Sequence, residues 1–129
     1  MDDGFTDLRR RGLLLDILAE MSSVERQLVA QTQKPWAFVP DDLVERWDTI
    51  FLDGYGLTEI GFSSEALVVL LDFDAQLGKV VGELLPTEDN KADYIRNDEM
   101  WSIVRDLADR ALTLLAQLAK PKEPGFSLN

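Results

Sequence analysis

The sequence predicts an all-α protein, a four-helix up-down bundle with three long helices and one short. Three features carry that reading. Apolar residues recur four and three apart over long stretches, which stacks them along one helix face. Capping and stop residues stand where those stretches begin and end. No segment reads as a convincing strand.

The first helix is expected over Asp2–Gln33, starting near Thr6 or Asp7. Leu14, Ile17, Met21, Val24 and Leu28 keep the three-four spacing of a bundle seam, and Leu13, Leu15, Leu18 and Val29 widen it. Ser22 and Ser23 interrupt the stripe, and Ser22 with Glu25 has the form of a capping box. The apolar register carries through unshifted, so one continuous helix is expected. A connector with Pro35, Trp36 and Phe38 follows. The second helix is expected from Pro40, whose fixed φ suits a first turn, with Asp41 and Asp42 facing the positive helix end. Leu43, Trp47 and Ile50 make its stripe, with Val44 and Phe51 beside them, and Asp53-Gly54 stops it.

The third helix, Ser63–Leu85, is the one the other segments are expected to enclose. Ser63 caps it and Glu65 suits its first turn. Ala66, Leu70, Phe73, Leu77, Val80 and Leu84 form one stripe, and Leu67, Leu71, Val81 and Leu85 a second. Val68 and Val69 close the ring over the first two turns, so that end is expected to be buried on every side. Pro86 ends the helix, and the polar stretch Thr87–Arg96 reads as a loop or frayed turn. Asn97 is expected to cap the last helix, striped by Met100, Val104, Leu107, Ala111, Leu114 and Leu118 and stopped by Pro121. Residues 1–121 thus read as one helical-bundle domain, and 122–129 as a disordered tail.

The helices do not match in length. Ser63–Leu85 has 23 residues, about 34 Å, whereas Asp41–Asp53 has 13, about 20 Å. The uncovered part of the bundle wall is expected to be filled from the two flanking segments, by Trp36, Phe38, Tyr55, Leu57, Ile60 and Phe62. The other outcome is a groove left open for a second copy, a partner helix or a small ligand.

Composition narrows the chemistry. Hydrophobic residues are 46% of the 129, enough for a core without staples. There is no cysteine, which excludes disulfides, thiolate metal sites and cysteine nucleophiles. There is no histidine, which removes the commonest general base and metal ligand. Arg9–Arg11 before Leu13–Leu15 has the outline of a signal peptide, but Asp16 and Glu20 break the apolar stretch and no small-residue cleavage site follows. A cytoplasmic protein without membrane contact is expected. Of the net charge of −11, residues 34–119 carry −10, from 17 acids and 7 bases. Such a surface repels phosphate backbones, so no nucleic-acid partner is expected, and it attracts basic proteins.

Candidate sites are few. Arg9, Arg10 and Arg11 oppose the helix dipole, and Asp7 at helical spacing is expected to neutralise them on a solvated face. Asp74 falls on an apolar stripe and calls for a partner, for which Arg105, Arg110 or an arginine of the first helix is expected. The acids from Glu88 to Glu99 fail the calcium-loop pattern, because Tyr94 and Met100 stand where glycine and glutamate are required. No phosphate loop, nucleophile elbow or Glu-x-x-His pair occurs.

The function expected from these features is a non-enzymatic protein–protein interaction module, an inhibitor, adaptor or assembly subunit with no cofactor, catalytic residue or metal ligand. A basic protein partner suits the charge, with Trp36, Phe38, Asp41, Asp42 and Tyr55 as contact residues. The alternatives are a carboxylate-dependent metal-binding enzyme or small-ligand carrier, and a structural homo-oligomer, such as a homodimer, built on the first helix.

Overall fold

The computed structural model describes residues 3–82 and 90–119, with side chains from Arg9 onward. Helix forms over most of the stretches with apolar helical spacing, and no strand occurs among the described residues. The helices are α1 (Asp3–Met21), α2 (Val24–Gln33), α3 (Val39–Phe51), α4 (Ser64–Val81), α5 (Lys91–Asn97) and α6 (Glu99–Ala119), with 3-10 turns at Leu52–Gly54 and Leu57–Ile60. The all-α class holds, but six helices stand among the described residues where four are expected. None of them is long and apolar enough to cross a membrane.

The first extra helix comes from a break at Ser22 and Ser23. Ser23 is extended and its Oγ accepts the Arg26 amide at 3.1 Å, so the cap is Ser23 rather than Ser22 with Glu25. Ser22 Oγ donates back to Ala19 O at 2.9 Å. A helix end strands several carbonyls, and here the fully buried Gln27 takes two of them. Its Nε2 donates to Glu20 O at 2.9 Å and to Met21 O at 2.7 Å, while its Oε1 accepts Trp101 Nε1 at 2.8 Å. Apolar spacing does not register this bond set, and α2 buries Gln27 and Gln31 while Val29 faces water. Gln31 fixes the next connection in the same way, donating to Lys34 O and Ala37 O and accepting the Val39 amide.

The second extra helix lies in the stretch read as a loop. Asn90 Oδ1 accepts the Asp93 amide at 3.2 Å, and Tyr94 and Ile95 are buried where α5 packs on α2 and α6. Two buried residues suffice to dock these seven residues, about two turns. Lys91 Nζ ties α5 to the connector before α3, donating to Pro35 O and Ala37 O at 3.0 and 2.9 Å. The cap of α6 is Asp98, whose Oδ2 accepts the Trp101 amide at 2.9 Å, and not Asn97. The expectations for Leu84–Pro86, for Thr87–Asp89 and for the tail from Pro121 fall outside the described residues.

Ser63 caps α4 as expected, and Ala66, Leu70, Phe73, Leu77 and Val80 are buried. The expectation that its start is enclosed on every side is corrected, since Val68 is 65% exposed and Leu71 42%. The neighbours of α4 are α6, the two 3-10 turns and Trp47 of α3. Helix α1 touches more elements, with Leu14, Ile17, Leu18 and Met21 fully buried against α2, α3, α6 and the second 3-10 turn, while Arg9, Gly12 and Asp16 are exposed. Neighbours run antiparallel: Arg10 reaches Ile50 and Phe51 while Glu20 pairs with Arg46, and Ala66 lies near Leu115 while Phe73 lies near Leu107. Trp47 stacks on Phe51 at 4.8 Å and meets Phe73 edge-on at 4.9 Å. Its Nε1 donates to Asp74 Oδ1 at 2.9 Å, so the partner of Asp74 is an indole, and Arg105 instead donates to Ile95 O.

Replacing Gln27 by leucine strands Met21 O and the Trp101 indole N–H in a dry core, and leaves Glu20 O only the Ser23 amide at 3.1 Å. Gln27→Leu is expected to lower stability by about 3 kcal/mol, read as a fall in Tm and in the urea midpoint.

Candidate functional site

Helix α3 divides cleanly. Leu43, Trp47 and Phe51 go into the core, while Asp41, Glu45, Asp48 and Leu52, spaced four, three and four apart, are exposed on the opposite side. Eleven residues of rise make this ridge about 16 Å long. The base on α3, Arg46, turns away to Glu20 of α1 at 3.6 Å. Among the described residues no ion pair reaches Asp41, Glu45 or Asp48. Partial burial, then the neighbouring carboxylates of Asp74 and Asp53, push the Asp48 carboxyl above its ordinary range. The ridge therefore holds negative charge that the chain itself does not neutralise.

Exposed aromatic side chains frame the ridge. Trp36 is 77% exposed before α3, and after it Leu52 is 51% and Tyr55 79% exposed. The five expected contact residues are thus not one cluster: Trp36 and Tyr55 stand at opposite ends of a helix about 20 Å long. Asp41 is on the ridge. Asp42 is half-buried in the first turn. Phe38 is half-buried with its ring edge-on to Tyr94 at 5.0 Å, which makes it a support rather than a contact. Burial, then the Asp98 carboxylate, push the Tyr94 phenol up to about 12, so that support is uncharged at neutral pH. Of the six expected fillers, Leu57, Ile60 and Phe62 are buried, whereas Trp36 and Tyr55 are not. Glu45, Asp48 and Leu52 were legible as the residues opposite Leu43, Trp47 and Ile50 on a helical wheel.

The Tyr55 end of the ridge is strained and clamped. Leu52 and Asp53 have φ of 53° and 55°, a left-handed conformation that non-glycine residues rarely hold, and Gly54 and Gly56 complete the turn at 82° and 73°. Arg10 of α1 holds it. Its Nε donates to Ile50 O at 2.8 Å, its Nη2 to Phe51 O at 2.6 Å, and its Nη1 to Tyr55 O. The planar fork thus neutralises the carbonyl end of α3. Arg11 lies over the Phe62 ring, 5.3 Å from its centroid, across Gly61, where a Cβ would stand 3.0 Å from Nη1. These two arginines are used inside the fold and not as the solvated face expected, and Asp7 falls outside the described side chains. Elsewhere, a half-open apolar cavity of about 340 Å³ lies between Leu15, Phe62, Ala66, Leu112 and Leu115, with Arg11 on its rim. Among the described residues no three acidic side chains converge to hold a cation.

Two substitutions test this geometry. Arg10→Lys replaces a three-way fork by a point charge and is expected to cost about 2 kcal/mol, seen as a lower Tm with α3 amides less protected from exchange. For Asp48 the folded chain binds its proton more tightly than the unfolded chain, so stability falls as pH rises from the ordinary carboxyl value of 3.8 through the raised one. Asp48→Asn is expected to raise Tm at neutral pH and to leave it unchanged below pH 3.8. In comparison with known proteins, the chain matches no family model, no curated protein and no solved structure.

Proposed function

We propose that this chain is a non-enzymatic protein–protein interaction module, acting as an inhibitor, adaptor or assembly subunit, and that the outer side of α3 is its working surface. The observation that carries the reading is the unneutralised ridge Asp41–Glu45–Asp48, framed by exposed Trp36 at one end and by Leu52 and Tyr55 at the other. The partner that fits is a basic protein segment with apolar side chains about 20 Å apart. Its cations relieve the mutual repulsion of the ridge and of Asp48 with Asp53 and Asp74, and its apolar groups cover the aromatic ends. Exposed Trp and Tyr are the residue types that dominate binding energy in such surfaces. We read α1, α3, α4 and α6 as an up-down four-helix arrangement, supported by their antiparallel contacts. The Arg10 clamp then presents α3 as a fixed surface with little ordering cost on binding.

Tryptophan fluorescence tests the reading, since Trp36 is exposed while Trp47 and Trp101 are fully buried. A lysine- and arginine-rich helical peptide with two apolar side chains is expected to shift Trp36 emission to the blue, with affinity falling as salt is raised. Trp36→Ala, Tyr55→Ala and Asp48→Lys are each expected to weaken binding roughly tenfold, about 1.4 kcal/mol, with unchanged circular dichroism. Equal binding of an uncharged peptide with the same apolar residues, or loss of helicity in Trp36→Ala, contradicts it.

A further inference from the structure

We infer that the outer face of α4 is a self-association seam, in which two copies of this chain pack their α4 helices antiparallel about a two-fold axis. Ser64, Val68, Leu71, Ala75, Gly78 and Gly82 recur four, three, four, three and four apart, opposite the buried stripe, and all six are exposed. No charged residue falls on this line, on a protein of net charge −11. A 3.5-residue spacing keeps this line facing a second helix of the same period over its whole length. Within the chain Val68 stays 65% exposed, and Leu71, beside Gly54 of the first 3-10 turn, stays 42% exposed.

The helix that fits is α4 itself, because its two halves are complementary in shape. The bulky residues lie in the first half of the seam and the small ones in the second. In an antiparallel pair, Val68 stands over the partner's Gly78, Leu71 over the partner's Ala75, and Ser64 over the partner's Gly82. The two-fold axis repeats each layer. Every layer then sets a larger side chain against a smaller one, which lets the backbones approach closely.

Gly78 supplies an independent observation. It sits inside α4, its φ is not in the left-handed range, and a Cβ there would meet nothing within 4 Å. Neither backbone conformation nor packing within the chain asks for glycine, and glycine weakens a helix relative to alanine. The approach of Val68 from a second copy requires it.

Charge points to the same occupant and the same orientation. Beside the seam, Glu65 of one copy falls opposite the partner's Lys79, and the axis makes this pair twice. Neither residue has an ion-pair partner among the described residues of its own chain. A parallel arrangement does not bring them together. Asp72 meets its own copy near the axis, and Arg110 of α6, which lines the same shallow groove, is placed to offset that repulsion. This inference does not rest on the surface proposed for α3.

Sedimentation equilibrium of the full chain over a wide range of concentration tests it. The mass is expected to rise from 14.6 kDa toward twice that value. Gly78→Leu fills the hole meant for Val68 and is expected to hold the chain at the monomer mass, with a Tm equal to or above that of the parent. Lys79→Glu, a change at an exposed position, is expected to weaken the dimer roughly tenfold, and the double swap Glu65→Lys with Lys79→Glu to restore it. A chain that stays monomeric throughout overturns the inference. So does a dimer indifferent to Gly78→Leu, or a double swap no tighter than Lys79→Glu alone.

Discussion

One buried glutamine decides the path of this chain. A helix that ends inside a protein exposes carbonyls to a dry environment, and leaving them unpaired costs more than most single packing contacts return. Gln27 reaches back to Glu20 O and Met21 O and offers its own oxygen to the Trp101 indole. The break between α1 and α2 is thereby satisfied on both sides and joined to the start of α6. With α2 turned aside, Gln31 and Lys91 fasten the next connection, and α5 has a surface to lie on. Without the break, α2 would continue the line of α1 and leave Tyr94 and Ile95 uncovered.

A similar economy governs the other end of α1. The chain must turn sharply after α3, and Leu52 and Asp53 adopt left-handed backbone to do so. The three carbonyls facing that turn are gathered by one guanidinium, that of Arg10. The same contact that relieves the carbonyl end of α3 sets the direction in which Leu52 and Tyr55 leave the fold. Local strain, a helix terminus and an exposed aromatic are therefore one unit, and the surface proposed for α3 inherits its rigidity from α1.

Much of this was legible in the sequence, and the failures have physical causes that can be named. The buried stripe of α4, its Ser63 cap, the start of α3 within a residue of Pro40 and the filling roles of Leu57, Ile60 and Phe62 all follow from apolar spacing and cap chemistry. What escaped depends on polar side chains that bond to backbone far away in sequence. Gln27 reads as an ordinary helix-surface residue until Trp101 is placed beside it. The arginine run reads as a solvated charge cluster until the end of α3 arrives next to Arg10. Helix α5 escaped because two buried residues in seven leave no periodic signal. Val68 and Leu71 were assigned to the core because an apolar ring predicts burial without saying whether a neighbour exists to supply it. The ridge on α3 needed only the residues opposite an apolar stripe that had already been identified.

The claim that Gln27 locks the helix break to α6 is open to a direct measurement, hydrogen exchange at the tryptophan indoles followed by nuclear magnetic resonance. The Trp101 indole proton is expected to exchange only through global unfolding, and that of Trp36 within the dead time. In Gln27→Leu the protection of Trp101 should collapse, while Trp47, bonded to Asp74, keeps more of its own. A Trp101 indole that exchanges as fast as Trp36 in the parent protein contradicts the account.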